Sequence, residues 1–401
     1  MTERPAAGGV IALTLSHQIA VSLAAATLPV LLPALSHEAD LGGDTAGLYA
    51  FATYAGAVAA TFFCQGFFAA VGIARASLLC VLTSAAFLLL LLPGTLPAIL
   101  VAGAAIGACY GPVTPASSSM ILPFVSPGRA NFLFSLRQTG APLGVLFAGV
   151  LVPPLVLWLG WTDAVSAIAG LVAATALAGW RFAGRLDRLL DRPKVDLRRT
   201  PRAVVAALGN RRLRRLVTVS CLFASMLSTI NIYIPYSVSV LAGATLTEAG
   251  WAAATAQVGA VGGRLLWGAL ADRTGSPRIV LALLGLAMAA AVAVFAAIAP
   301  EWPMYARLLA ALALGATGAG WGGVTLAEVT RVVPRAEVGN ATTAMMIFNY
   351  LGVFIGPPLV ALALVATGSL RIALLTLTAG ALAGAALARF GLASPATTAD
   401  R

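Results

Sequence analysis

The stretch GRLLWGALADRTGSPR, from Gly263 to Arg278, separates two long apolar segments of the chain. It contains Arg264, Asp272 and Arg273, and ends on a further arginine. The whole chain has 401 residues, of which 60% are hydrophobic and only 10% are charged. A soluble domain has about a quarter of its residues charged. Because charge is so scarce here, this cluster needs a structural or functional reason, above all Arg264, which lies inside an apolar segment.

The composition indicates a membrane protein. The mean hydropathy is +0.94, and the apolar segments are long enough to cross a bilayer, which takes about 20 residues per helix. We therefore predict an all-α polytopic membrane protein. The first apolar segment, residues 8–35, is too long for the core of a signal peptide and is expected to be retained. The four cysteines lie in apolar segments without metal-ligand spacing, which is typical of small apolar fillers: Cys64, Cys80, Cys109 and Cys221.

The apolar pattern predicts twelve transmembrane helices in two groups of six. The predicted spans are about 10–35, 45–70, 76–93, 96–122, 130–157, 162–182, 214–241, 248–271, 277–299, 302–328, 337–366 and 370–392. The one long connection, residues 183–213, is strongly basic. This gives an N-terminal six-helix bundle over 1–182, a basic linker over 183–213 and a C-terminal six-helix bundle over 214–401.

The distribution of charge predicts the orientation in the membrane. The net charge of +11 lies in loops, so it indicates topology rather than nucleic-acid binding. If the linker is cytoplasmic, six arginines fall on its side: Arg75, Arg129, Arg273, Arg278, Arg331 and Arg335. The opposite loops are mainly acidic. The positive-inside rule then places both termini in the cytoplasm of a prokaryotic inner membrane. The linker is either a topological anchor or a segment that binds anionic lipids.

The two halves repeat each other in sequence. Without gaps, residues 107–123 of the fourth span match residues 318–334 of the tenth at seven positions: Gly107, Ala108, Gly111, Val113, Thr114, Ala116 and Pro123. The fifth and eleventh spans share glycines that lead into a Pro-Pro pair, at 153–154 and 357–358. Two homologous six-helix halves are typical of secondary transporters whose substrate site lies near the membrane midplane.

At this point the sequence resembles the major facilitator superfamily over nearly its whole length. The residues that carry the resemblance fit the signature loop of that family: Gly268, Leu270, Asp272, Arg273, Gly275 and Arg278. The resemblance implies the twelve-helix facilitator fold, in which this loop forms a cytoplasmic latch. It also implies Glu328 as the partner of Arg273. The first half lacks both sides of the latch, since Ala70 and Val71 replace the loop charges and Ser117 replaces the acid.

Two arginines are predicted to lie deep in the membrane. Arg264 precedes Asp272 by eight residues, and Arg137 follows Arg129 by eight, which is about 12 Å along a helix where the hydrocarbon half-thickness is about 15 Å. A charge at that depth must face a cavity or a partner. The segment around Arg264 resembles that of monocarboxylate, oxalate and nitrate porters, which implies an anion-binding arginine. The alternative for each arginine is a packing role, bonded to helix carbonyls.

Further polar residues in the spans are candidates for the wall of a substrate cavity: Tyr110, Gln138, Asn231, Tyr233, Gln257, Asn349 and Tyr350. His17 lies in the first span and is either a carrier of a coupled proton or a hydrogen-bonded packing residue. We find no catalytic constellation, cofactor motif or metal cluster in the sequence, which argues against an enzyme.

Three functions remain open from the sequence. The first is a monomeric secondary transporter for a small organic or inorganic anion, coupled to protons or working by exchange. The second is an efflux antiporter for drugs or metabolites, because TGAPLG at 139–144 and GVFIGPP at 352–358 resemble an antiporter motif of the family. Efflux of cations usually needs a deep carboxylate, however, and Glu328 is shallow. The third is a membrane scaffold or sensor that does not transport.

Overall fold

The computed structural model describes residues 7–38, 45–125, 127–190 and 205–391. The helices of the first half are α1 (Ala7–Glu38), α2 (Thr45–Val71), α3 (Ile73–Leu88), α4 (Leu96–Ile121), α5 (Ala130–Gln138), α6 (Gly140–Leu159) and α7 (Trp161–Leu186). Those of the second half are α8 (Arg211–Ala242), α9 (Leu246–Thr274), α10 (Pro277–Ala296), α11 (Met304–Gly318), α12 (Trp321–Val332), α13 (Val338–Thr367) and α14 (Leu370–Ala386).

These helices account for the twelve predicted spans. The fifth span consists of α5 and α6, which meet at Thr139, and the tenth consists of α11 and α12, which meet at Ala319 and Gly320. Within the described ranges, eleven helical segments are long and apolar enough to cross a membrane. The remaining span is α9, which has 29 residues and carries Gln257 and Arg264 among small side chains.

The chain divides into two compact units. The first comprises Met1–Val125, Arg137–Ala207 and Arg335–Ile347, and the second comprises Ser126–Leu136, Leu208–Pro334 and Phe348–Arg401. The division near residue 208 falls inside the predicted linker. Two short segments differ from the predicted domains, because the start of the fifth span groups with the second unit and the start of the eleventh with the first. Helix α5 therefore begins in one unit and ends in the other.

Glycines bring helices of the first unit into close contact. A Cβ added at Gly107 or Gly111 of α4 would collide with the backbone of Thr53 or Ala57 of α2. At Gly144 of α6 it would collide with α1. Side chains are excluded at these positions, so the backbones approach closely, which is the usual way in which small residues join membrane helices.

The second unit repeats both packings. Gly259 and Gly263 of α9 lie against the backbone of α11, and Gly352 and Gly356 of α13 lie against α8. The second helix of each half thus packs on the fourth, and the first packs on the fifth span. The repeat inferred from the sequence is reflected in these matching helix pairs.

The loop after the second helix of each half turns at a glycine with positive φ. These residues are Gly72, at 99°, and Gly275, at 60°, a region of backbone conformation that strongly favours glycine. In the first unit Asp187 accepts hydrogen bonds from the backbone N–H groups of Ala74 and Arg75 at 2.8 and 3.0 Å. A carboxylate from the end of α7 therefore caps α3 beside this turn.

Candidate substrate-binding and latch residues

Arg137 lies in the last turn of α5 and is completely buried. Its Nη2 donates to Gln18 Oε1 at 2.6 Å and to Ser117 Oγ at 3.1 Å. Its Nη1 donates to Thr114 Oγ1 at 3.2 Å and to the Oε1 of the adjacent Gln138. A cation this deep is costly unless several acceptors surround it, and here neutral oxygens from α1, α4 and α5 do so.

The Arg137 cluster explains Gln18, which the sequence analysis did not assign, and Ser117, which it identified only as a replacement for the acid. Gln18 also donates from Nε2 to Ser22 Oγ at 3.1 Å, so its amide is held at both ends. Ser117 occupies the position that matches Glu328 in the other half, and a hydroxyl there is compatible with a neighbouring cation. The signal for Gln18 was available, since it is a large polar residue inside the first apolar segment.

Arg264 lies in the second unit beside the break in the tenth span. Its Nε donates to the carbonyl oxygen of Ala319 at 3.2 Å, and 7% of the residue is exposed. One turn further along α9, Trp267 Nε1 donates to the carbonyl of Ala316 at 3.1 Å. The last carbonyls of a helix have no partner within it. Arg264 and Trp267 therefore donate hydrogen bonds to carbonyl groups at the carboxyl end of α11.

The break also creates a new helix start inside the span. Helix α12 begins at Trp321, directly after Gly320, and a Cβ at Gly320 would collide with the Trp267 ring. The N-terminus of a helix carries partial positive charge. In transporters, the N-termini of interrupted helices point at anionic groups of substrates. A buried guanidinium and a helix start thus occur at the same break.

Asp272 of the signature loop binds the start of α5. Its Oδ1 accepts from the backbone N–H of Asn131 at 3.1 Å, and its Oδ2 from the N–H of Phe132 at 2.8 Å. Behind this contact Ser135 is buried, and a Cβ at Gly268 or Gly323 would collide with it. The two glycines therefore let this part of α5 pack tightly within the second unit. Among the described residues, the hydrogen-bond donors to Asp272 are therefore the first turn of α5 and the Asn131 side chain.

Glu328 does not pair with Arg273, contrary to our expectation. Its carboxylate accepts from Arg212 at 2.9 Å and is 3.5 Å from Arg331, whereas the Arg273 side chain is exposed. Arg212 lies in the first turn of α8, which begins where the basic linker ends. Neighbouring Asn210 caps that helix and donates to the carbonyl of Val332 at 3.4 Å. The acid thus connects α12 to the start of α8.

His17 of α1 is fully buried against α3 and α7. Its Nδ1 is 2.9 Å from Ser77 Oγ on α3, and within the described residues its Nε2 has no hydrogen-bond partner. The next residue, Gln18, contacts Arg137. His17 and Gln18 therefore belong to different faces of α1, and the structure does not bring His17 to the arginine.

The other predicted cavity residues occupy both units. In the second unit Asn349 Oδ1 accepts from Ser220 Oγ at 2.6 Å, and Gln257 donates to Asn231 at 3.3 Å. Tyr233 reaches the carbonyl of Pro357 at 3.5 Å. Tyr350 is buried, and Tyr110 and Gln138 are half-buried. Arg278, which was predicted for the latch, is also half-buried.

Comparison with known proteins identifies relatives of the whole chain. The profile of a family described as Major Facilitator Superfamily matches residues 14–357 and 230–401. The Escherichia coli fucose:proton symporter FucP is similar in structure, with a TM-score of 0.74, 18% identity and coverage of 95% of this chain and 98% of the other. The human organic anion transporter MFSD10 is also similar in structure, with a TM-score of 0.72, 15% identity and coverage of 96% of this chain and 100% of the other.

A third similar structure is the proton:xylose symporter XylE, with a TM-score of 0.68, 14% identity and 94% of each chain covered. No curated protein matches the sequence significantly. At these identities, the solved structures establish the fold of the chain and leave its substrate to be argued from its own residues.

Proposed function

The chain belongs to the major facilitator superfamily, and on that premise we propose that it is a secondary transporter that moves a small anion, such as a monocarboxylate, across the membrane by alternating access. Coupling to protons or exchange of one anion for another would drive it. We propose that it resides as a monomer in a prokaryotic inner membrane with both termini in the cytoplasm. We also propose that the basic linker contacts anionic lipids; its residues 191–204 lie outside the described residues.

The observation that carries this proposal is Arg264 at the break between α11 and α12. Its position is fixed through Nε, which bonds Ala319, and the guanidinium plane suits two oxygens of a carboxylate or nitrate at once. The start of α12 adds partial positive charge at the same place. An anion gains from both, whereas a cation would be repelled by both.

Arg137 supports an anionic substrate in the first unit. It donates to uncharged oxygens of Gln18, Thr114 and Ser117, and these contacts leave its positive charge uncancelled in a low-dielectric environment. A retained charge attracts anions more strongly there than in water. We propose that Arg137 and Gln138 belong to the substrate site, together with the polar residues Tyr110, Asn231, Tyr233, Gln257, Asn349 and Tyr350.

Cation efflux is the alternative within transport, and it fits these residues less well. It requires a carboxylate that is available to the substrate, but Glu328 is engaged by Arg212 and Arg331. The names of the similar structures include two proton symporters and one organic anion transporter. They are compatible with the proposal, and their identity is too low to decide the substrate.

A panel of ligands tests the proposal directly. The purified protein is heated with monocarboxylates, oxalate, nitrate, cyanate, phosphonates or lipophilic cations, because a ligand that binds the folded state raises the melting temperature. We expect stabilisation by at least one class of anion, followed by counterflow of that anion in proteoliposomes. Stabilisation by lipophilic cations alone would support efflux, and stabilisation by neither class would favour a scaffold.

A further inference from the structure

A groove on the outer face of the first unit has the composition of a lipid site. It is lined by Leu82 of α3 and by Leu177, Ala178, Trp180 and Arg181 of α7. The leucines form one end, and an indole and a guanidinium form the other. Leu177 and Trp180 are 59% and 50% exposed, so the groove is open to whatever surrounds the protein.

The depth of these residues matches the layers of a membrane. Asp187 marks the common end of α7 and α3, because it caps the first turn of α3. With a rise of 1.5 Å per residue, Arg181 lies about 9 Å inside that end and Leu177 about 15 Å. Leu82 lies about 13 Å beyond the start of α3. The apolar end is therefore at acyl-chain depth and the polar end nearer to the headgroups.

Arg181 is not explained by the helix end alone. Cations in the last turn of a helix interact favourably with its dipole, which accounts for Arg185. Arg181 lies one turn deeper and is exposed. A long cationic side chain at that depth extends toward the interface, and Trp180 is a residue type that concentrates there. Arg185 and Arg188 are exposed at four and seven residues further along, so they continue the positive stripe outward.

We propose that this groove binds an anionic phospholipid of the leaflet into which α7 ends. One acyl chain lies along Leu82 and Leu177 and over the small Ala178, while the phosphate accepts hydrogen bonds from Arg181. The arginines beyond it favour an anionic headgroup over a zwitterionic one. The site lies on α3 and α7 and does not depend on Arg264, Arg137 or the proposed substrate; its headgroup preference extends the lipid contact proposed for the basic linker, to which Arg185 and Arg188 belong.

The proposal is tested by binding of phosphatidylglycerol and phosphatidylcholine to the delipidated protein, measured by native mass spectrometry and thermal shift. We expect phosphatidylglycerol to bind more tightly, and Arg181→Gln to weaken it about fivefold, in line with about 1 kcal/mol per arginine near an anionic surface. The matched control is Arg389→Gln, which removes another exposed arginine that lies beside an aromatic ring, that of Phe390. Equal losses for the two variants would overturn the site.

Two further arms separate a lipid from a simple ion. Ala178→Phe fills the groove without changing its charge, and we expect it to weaken long-chain phosphatidylglycerol more than the dihexanoyl form. If that variant does not fold, the wild type must still prefer the long chains over the short ones. Inorganic phosphate is expected to leave lipid binding unchanged. Displacement of the lipid by millimolar phosphate, or no dependence on chain length, would show an ion site and refute the proposal.

Discussion

Asp272 and Asn131 are joined twice, because the Asp272 Oδ1 accepts from both the backbone N–H and the Nδ2 of Asn131, at 3.1 and 2.7 Å. The second carboxylate oxygen, Oδ2, accepts a hydrogen bond from the next backbone N–H, that of Phe132. One acid of the signature loop thus satisfies the start of α5. This helix ends at Arg137 and Gln138, which group with the first unit. Asp272 thus binds one end of a short helix whose other end carries a proposed substrate residue.

The first prediction concerns this cap. Asp272→Asn removes the negative charge, and hydrogen bonds to charged groups contribute about 1.5–3 kcal/mol. We expect the first turn of α5 to detach more often and the thiol introduced by Ser135→Cys, in a background without native cysteines, to be alkylated at least tenfold faster. Asp187→Asn is the matched control, since it caps α3 within the first unit. It should lower the melting temperature without exposing position 135, and equal exposure in both variants would contradict the prediction.

The second prediction concerns Glu328. Loss of one partner of a mostly buried ion pair costs up to several kcal/mol, although Arg212 is 42% exposed and this reduces the effect. Glu328→Gln would also leave Arg212 and Arg331 to repel each other. We expect the conformational equilibrium of the protein to shift away from the outward-open state. Cysteines introduced into the spans should then react faster with reagents added from the side of the membrane that carries the linker. Arg212→Gln should act in the same direction, whereas Arg273→Gln should not. Unchanged cysteine accessibility in Glu328→Gln would refute a role for Glu328 in this conformational equilibrium.

The third prediction concerns proton coupling. His17 bonds Ser77 and does not reach Arg137, so we expect His17→Gln to keep the ability to accumulate substrate against its concentration gradient when a proton gradient drives transport. Ser77→Ala should resemble it, with a small loss of thermal stability from the same hydrogen bond, about 1 kcal/mol. Accumulation is measured in proteoliposomes with an imposed pH gradient. If His17→Gln abolishes accumulation but retains exchange, the histidine carries the coupled proton.

The sequence predicted features that depend on composition and periodicity. The spans, the six-plus-six division and the signature loop follow from long apolar segments, one basic connection and glycines at turns, and the matching helix pairs reflect the repeat. The partners of the charged residues were harder to predict from the sequence. Asp272 accepts from backbone amides, which have no sequence signature. Glu328 pairs with Arg212, which is 116 residues away in the chain. Pairing at such distances depends on tertiary packing.

The break in the tenth span was also not predicted. The segment GATGAG at 315–320 is typical of a continuous small-residue helix, but α11 ends at Gly318 and α12 starts at Trp321. The matching α4 is continuous from Leu96 to Ile121 despite two prolines. Side chains of α9 that donate hydrogen bonds to carbonyls at the break, and not the local sequence alone, stabilise the interruption. Arg264 thereby has the packing contact that the sequence left open, and its binding of an anion is the proposal that the last prediction tests.

The last prediction separates those two roles. Arg264→Ala and Arg264→Lys should each weaken binding of the anion found by the ligand panel at least tenfold, or about 1.4 kcal/mol, because lysine keeps the charge but lacks the planar fork. Trp267→Phe is the control, since it removes the neighbouring hydrogen bond to α11 and keeps the guanidinium. We expect it to lower the melting temperature while the dissociation constant changes less than threefold, as measured by isothermal titration calorimetry.

A packing role for Arg264 makes the opposite forecast. Arg264→Ala and Trp267→Phe would then lose similar stability, and anion binding would persist at wild-type affinity in both. The same titrations with Arg137→Gln, alone and combined with Arg264→Ala, test whether one anion contacts both arginines. Independent sites give additive losses, whereas residues that share a ligand couple by about 0.5–3 kcal/mol. Additive losses would leave Arg264 as the anion-binding residue and limit Arg137 to organising Gln18, Thr114 and Ser117 around itself.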